Sequence, residues 1–133
     1  MIFDHIGLFV RDLDAGRAKL ASLLPIEKSS DPVDDPGLRV RIQFCTDASG
    51  IRYELVAPLG DESPVDGVLR SGNNVLNHVA YRVADLDAEC LRLREERCMP
   101  LGPPAPAVAF GGRRVVFFLT PLRFILELIE DPA

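Results

Sequence analysis

Hydrophobic residues dominate positions 2–10 and again 76–83, broken by polar Asp4 and His5 in the first stretch and by Asn77, His78 and Arg82 in the second. Both stretches are rich in β-branched, aromatic and other apolar residues and predict a β-strand each. Each strand runs into an aspartate at a helix N-cap position, Asp12 or Asp85. Apolar residues then recur at helical spacing: Leu13, Ala18, Leu20 and Leu24 in the first case, Leu86, Cys90, Leu91 and Leu93 in the second. A proline-rich loop follows in each half. Strands are expected over 38–46 and 51–57, joined by an Asp-Ala-Ser-Gly turn, and over 113–120 and 123–130, with Pro121 in the turn. Short strands are expected near Glu27 and Met99. The predicted order is β-α-β-β-β, twice.

The doubling extends to residue identity. DHIGLFVRDLDA at 4–15 and NHVAYRVADLDA at 77–88 share His, Val, Asp, Leu, Asp and Ala in register, at an offset of 73 residues. The same offset carries Tyr53-Glu54-Leu55 onto Leu126-Glu127-Leu128. Two sets of matches at one offset argue for duplication of a unit about half the chain long. The reading is a single domain, 1–133, made of a first module over 1–58, a linker over 59–74 and a second module over 75–133. The linker region reads PLGDESPVDGVLRSGNN from residue 58, with the Gly, Pro, Asp, Ser and Asn content of a connector.

Composition sets limits on partners. The 133 residues are 47% hydrophobic and 26% charged, enough apolar side chain for a core without staples. A net charge of −5 disfavours nucleic acid and anionic membrane as partners. The basic residues are 13 Arg against only Lys19 and Lys28, a bias expected of a GC-rich genome and also of anion recognition. Cys45, Cys90 and Cys98 are odd in number and lack CxxC spacing, so free thiols in a reducing compartment are expected. Asp4 and His5 interrupt any leader-like start, and no apolar run approaches the ~18–20 residues that span a bilayer. A cytoplasmic protein is the expectation.

The chain has only two histidines, His5 and His78, and they are repeat equivalents. Each precedes a glutamate by 49 residues, Glu54 and Glu127, and each glutamate lies mid-strand among apolar neighbours. A lone histidine in a strand is ordinarily a core or surface residue, and a strand glutamate ordinarily faces water. Neither reading predicts the matched spacing. A buried carboxylate costs several kcal/mol unless it is paired or ligates a metal. Alternation puts His5 on one face with Gly7, and His78 with Ala80 and Arg82; Gly7 and Ala80 are small and leave room for a ligand. Two imidazoles and two carboxylates suit Zn, Ni, Co, Mn or Fe as a divalent ion, and the set alone does not choose among them.

These motifs, DHIGLFVRDLD, YELVAP, NHVAYRVADLD and GGRRVVFFLTP…FILELIE, resemble the vicinal oxygen chelate superfamily of glyoxalase, bleomycin resistance and dioxygenase proteins. The resemblance covers nearly the whole chain. It implies an α+β fold of tandem βαβββ modules in a curved mixed sheet, half-barrels around a metal held by His5, Glu54, His78 and Glu127, and a homodimer. The nearest likeness is to methylmalonyl-CoA epimerases, in YELVAPLGDESPVDGVLRSG and GGRRVVFF. That implies a metal-dependent isomerase or lyase that abstracts a proton next to a carbonyl of a thioester or other small molecule, through an enolate or enediolate. Glu127 is then the first choice of base and Glu54 its proton-handling partner. Arg82 is a candidate for neutralising an anionic substrate group, and equally a surface arginine. Gly111 and Gly112 suit a loop over the site or an ordinary turn. The epimerases carry a further acid on an earlier strand, where this chain reads Val40-Arg41-Ile42-Gln43-Phe44, and neither Arg41 nor Gln43 does that work. Alternatives are a glyoxalase I-type lactoylglutathione lyase, a non-catalytic small-molecule binding or resistance protein, and an extradiol-type dioxygenase. The fourth ligand, Glu54, weighs against the dioxygenase, and the complete ligand set against the binding protein.

Overall fold

The computed structural model describes residues 1–72 and 76–132. Among them are ten strands and three α-helices. They are β1 (Ile2–Phe9), α1 (Leu13–Leu23), β2 (Ile26–Ser29), β3 (Val33–Asp35), β4 (Val40–Asp47), β5 (Arg52–Pro58), α2 (Pro64–Ser71), β6 (Leu76–Val83), α3 (Leu86–Glu95), β7 (Met99–Pro100), β8 (Ala105–Pro106), β9 (Arg114–Leu119) and β10 (Ile125–Glu130). The chain forms two compact units, His5–Asn77, and Met1–Asp4 with His78–Ala133. The first four residues group with the second unit. The 74/75 boundary expected between linker and second module lies outside the described residues.

In the unit His5–Asn77, the strands run in the order β2, β4, β5, β1, with β3 also paired to β4. β4 and β5 form an antiparallel hairpin, whereas β1 and β5 are parallel, with Gly7 opposite Glu54 and Leu8 opposite Leu55. Parallel neighbours need a crossover, and α1 begins it. The helix starts where Asp12 accepts a 2.8 Å hydrogen bond from the Ala15 N–H. It lies close to the strand: a Cβ on Gly16 would stand 2.9 Å from Val10 Cγ1. Leu13 and Leu20 of the helix meet Cys45, Leu55 and Ala57 of the strands, with Leu8, Val10, Leu24, Ile26 and Tyr53 around them. The β4–β5 turn is held by Asp47, whose Oδ1 accepts from the Ser49 and Ile51 N–H groups at 2.9 Å each. Gly50 takes φ +89° there, a conformation that suits glycine.

The second unit repeats this plan in the order β6, β10, β9, β7, with β8 paired to β9. β10 is parallel to β6 and antiparallel to β9. Asp85 caps α3 by accepting from the Ala88 N–H. Leu86 and Leu93 of α3 pack on Val83, Cys98, Val116, Phe118 and Leu128. The first residues of the chain join this unit through Phe3 against Tyr81, ring centroids 5.7 Å apart, and Asp4 beside Arg82.

The stretch expected to be a plain linker contains α2. Ser63 accepts a hydrogen bond from the Val65 N–H, Pro64 occupies the first turn, and Gly72 ends the helix at φ +71°. Proline at the start and glycine past the end are helix signals as well as connector signals. All three cysteines are free, with Cys45 and Cys98 buried and Cys90 half-buried. No helix among the described residues is long and apolar enough to cross a membrane.

Candidate metal centre

The helix-facing side of β1 and β5 is taken by Leu8, Tyr53, Leu55 and Ala57. Strand alternation therefore turns His5, Gly7, Glu54 and Val56 to the other face. His5 is fully buried and Glu54 is 4% exposed. His5 Nε2 lies 3.4 Å from Glu54 Oε1. The second unit has the same arrangement. Tyr81, Val83 and Leu128 pack beneath α3, leaving His78, Ala80 and Glu127 on the opposite face. His78 and Glu127 are 5% and 3% exposed, and His78 Nε2 lies 3.2 Å from Glu127 Oε1.

The registers agree as well as the distances. Gly7 stands opposite Glu54 on the parallel neighbour, and Ala80 opposite Glu127, which is the same pairing moved by the repeat offset. On the antiparallel side, Phe44 stands opposite Glu54 and Phe117 opposite Glu127. Each phenylalanine meets its histidine edge-on, at 5.6 Å for His5–Phe44 and 5.3 Å for His78–Phe117. Phe44 and Phe117 were not among the residues expected from sequence. The signal was present, because the offset that relates the histidines relates these two rings.

Both His–Glu separations are wider than the 2.7–2.9 Å usual for a charge-assisted N–H···O hydrogen bond. Two donor atoms bound at ~2.1 Å to one ion lie about 3.0 Å apart at a right angle and about 3.4 Å apart at the tetrahedral angle. The observed separations of 3.4 and 3.2 Å fall in that range. His5, Glu54, His78 and Glu127 are all buried and form a group of the types that hold a metal ion, each offering one ligand atom. The donor set is N₂O₂, which fits a divalent first-row ion.

The model of the Glyoxalase/Bleomycin resistance protein/Dioxygenase superfamily matches residues 4–117. The chain belongs to that superfamily. Ethylmalonyl-CoA/methylmalonyl-CoA epimerase of Cereibacter sphaeroides is 33% identical over 128 residues, 96% of this chain and 93% of that protein. The mitochondrial methylmalonyl-CoA epimerase of Bos taurus is 29% identical over 89% of this chain and 66% of its own length. Methylmalonyl-CoA epimerase from Mycobacterium tuberculosis superposes with a TM-score of 0.76 at 25% identity, covering 98% of this chain and 87% of that one. A hypothetical protein from Bacillus halodurans C-125 has the same fold, with a TM-score of 0.81 at 23% identity over 98% of this chain and 94% of that one. The α+β superfamily fold expected from sequence is the fold observed.

Other candidates fare differently within the superfamily frame. Arg82 is engaged by carboxylates, with Asp4 at 3.2 Å and Asp131 at 3.3 Å. Its charge is thus balanced by the protein itself. Gly111 and Gly112 have φ of +65° and +82° in a locally closed turn, where the Gly112 N–H donates to the Ala107 carbonyl. On β4, Gln43 stands opposite Leu55, on the α1 side, and its Nε2 donates to the Ser30 carbonyl at 2.8 Å. Arg41 pairs with Asp34 at 3.0 Å. The β4 residues on the Glu54 face are Val40, Ile42, Phe44 and Thr46, none of them an acid.

Proposed function

We propose that His5, Glu54, His78 and Glu127 ligate one divalent metal ion and that the protein is an epimerase-type enzyme of acyl thioesters, methylmalonyl-CoA being the substrate to test. The observation that carries this reading is the twice-built pair: a buried imidazole and a buried carboxylate at ligand-like separation, in the same strand register. The epimerase relative that matches almost end to end supports the reaction class.

A divalent ion held there supplies a Lewis acid for the carbonyl oxygen as negative charge develops on it. The chain's own residues do the rest. Glu127 takes the proton from the carbon beside the carbonyl, and Glu54 takes or returns it on the other side. With no acid on the β4 face, those two glutamates carry the acid–base work between them. Phe44 and Phe117, each at a steep angle to its histidine ring, hold the imidazole planes. A homodimer and a cytoplasmic location belong to the same proposal.

The test is deuterium exchange from solvent into the carbon alpha to the thioester of methylmalonyl-CoA, run with protein loaded with each of Zn, Ni, Co, Mn and Fe. Exchange that needs metal and falls by about 10²–10⁴ in Glu127→Gln is the expected result. No metal retained after dialysis and no exchange would sink the proposal. The acid-free β4 face favours a second reading, a lactoylglutathione lyase-type isomerisation, which needs only the ligands and the glutamates. Conversion of a glutathione hemithioacetal without exchange into methylmalonyl-CoA would select it.

A further inference from the structure

Four charged residues of the unit formed by Met1–Asp4 with His78–Ala133 link the start of β1 to the end of β6. Arg82 of β6 lies between two carboxylates. Its Nε stands 3.2 Å from Asp4 Oδ1, and its Nη1 donates to Asp131 Oδ2 at 3.3 Å. Asp131 Oδ1 also accepts from Arg113 Nη1 at 2.7 Å, and the Asp131 N–H donates to the Val83 carbonyl at 2.8 Å. The guanidinium is thus oriented by a carboxylate that is itself tied to the end of β6. Its other edge reaches Asp4 of β1.

The first module has no copy of this chain of charges. The repeat offset pairs Asp4 with Asn77, Phe9 with Arg82, Val40 with Arg113 and Pro58 with Asp131, so each charged member has an uncharged equivalent. The same offset carries His5 onto His78, Glu54 onto Glu127 and Phe44 onto Phe117. A module therefore builds its sheet and its His–Glu pair without these charges, and duplication does not account for them.

Their place along β1 gives them a use. Asp4 is the last β1 residue of one unit and His5 the first of the other. On its C-terminal side His5 is held by the parallel β1–β5 register, which begins with Ile6 opposite Tyr53. On its N-terminal side the anchor is Asp4, through Arg82. The Asp4 side chain is only 7% exposed, so water screens this pair far less than it screens a surface ion pair. Fixing both neighbours of a residue fixes its backbone. His5 is fully buried, so packing holds its rotamer and the imidazole follows the backbone.

We propose that Arg82 is a positioning residue for the metal centre: by holding Asp4 it fixes the backbone from which the His5 imidazole is presented to the ion. Arg82 then serves the protein's own carboxylates rather than an anionic group of the substrate. The inference rests on the metal centre proposed above and gives it a support beyond the ligands and the phenylalanines beside them.

Cobalt(II) is the probe. It is titrated into stripped protein in competition with a chelator, and the visible absorption of the bound ion reports its coordination geometry. Asp4→Asn and Arg82→Met should each weaken cobalt binding by about tenfold and change the absorption bands. The double variant should be no worse than either single one, because both changes break one interaction. Arg82→Lys keeps a charge beside Asp4 and should recover part of the affinity. Arg114→Gln breaks separate ion pairs, to Asp87 and Glu130, and should lower the urea midpoint while leaving cobalt affinity and spectrum unchanged. Unchanged affinity and spectrum in Arg82→Met would overturn the inference, and so would losses in the single variants that add up in the double one. Failure of the metal centre itself looks different: the unsubstituted protein would bind no cobalt, and the positioning role would fall with it.

Discussion

The decisive question for the metal centre is whether the two pairs hold one ion or two, and Glu→Gln substitution in each pair answers it. Gln keeps the volume of Glu and removes the charge, so the strands β5 and β10 should survive. The size of the effect follows from linkage. Metal present at 100 times its Kd stabilises the native state by about 2.7 kcal/mol. Unfolding entropy near 2.1 cal/mol/K per residue, over 133 residues, is about 0.28 kcal/mol/K, so the midpoint rises by about 10 °C. If the lost carboxylate weakens affinity about 100-fold, the same metal concentration stabilises by only ~0.4 kcal/mol, and the shift falls to under about 2 °C. With one shared ion, Glu54→Gln and Glu127→Gln each remove nearly the whole shift. With one ion per pair, each leaves about half. The assay is thermal unfolding of stripped protein titrated with metal, beside metal analysis by mass spectrometry. Glu89→Gln, on the outer helix α3, is the control and should keep the full shift. A full shift in both Glu54→Gln and Glu127→Gln would refute the centre.

Phe118 is fully buried in the second core, and Phe118→Ala should cost about 3–5 kcal/mol in urea unfolding; less than about 1 would mean that this core is not the one described. Gly16→Ala would set a Cβ 2.9 Å from Val10 Cγ1, so crowding of about 1–3 kcal/mol should outweigh the ~1 kcal/mol gain in helix propensity and lower the midpoint of unfolding. Phe44→Leu should loosen His5 and weaken metal retention by about 10–100-fold in a competition with a chelator, while a surface change such as Leu122→Ala leaves it alone. The Arg114 hydrogen bond holds the Glu130 carboxyl below the usual carboxylate range, with burial opposing it. Its contribution to stability is therefore present above the ordinary carboxylate pKa and is lost as pH falls through the lowered value. Urea midpoints measured from about pH 6 down to about pH 3 should fall less steeply in Arg114→Gln than in the unsubstituted protein.

The helix caps Asp12 and Asp85, the strand pairs and the four buried His and Glu residues were legible because each depends on local periodicity or on the repeat offset. The α2 helix was not, since PVDGVLRS carries the proline and glycine that also mark a connector, and only the burial of Val65 decides between them. Arg82 looked available to a substrate on strand alternation alone. Its partners Asp4 and Asp131 lie 78 and 49 positions away in the chain, beyond the reach of any local pattern.

The sequence by itself determined the duplicated βαβββ plan and the residue types of a metal centre, because duplication preserves spacing and alternation assigns faces. Tertiary structure alone decided that each imidazole meets its carboxylate at ligand-like separation, with a phenylalanine at its edge. It also decided that the Arg82 charge is balanced by Asp4 and Asp131. The physical reason is that strands adjacent in space need not be adjacent in sequence. Register between β1 and β5, or β6 and β10, arises from packing under a helix, and no short stretch of chain contains it.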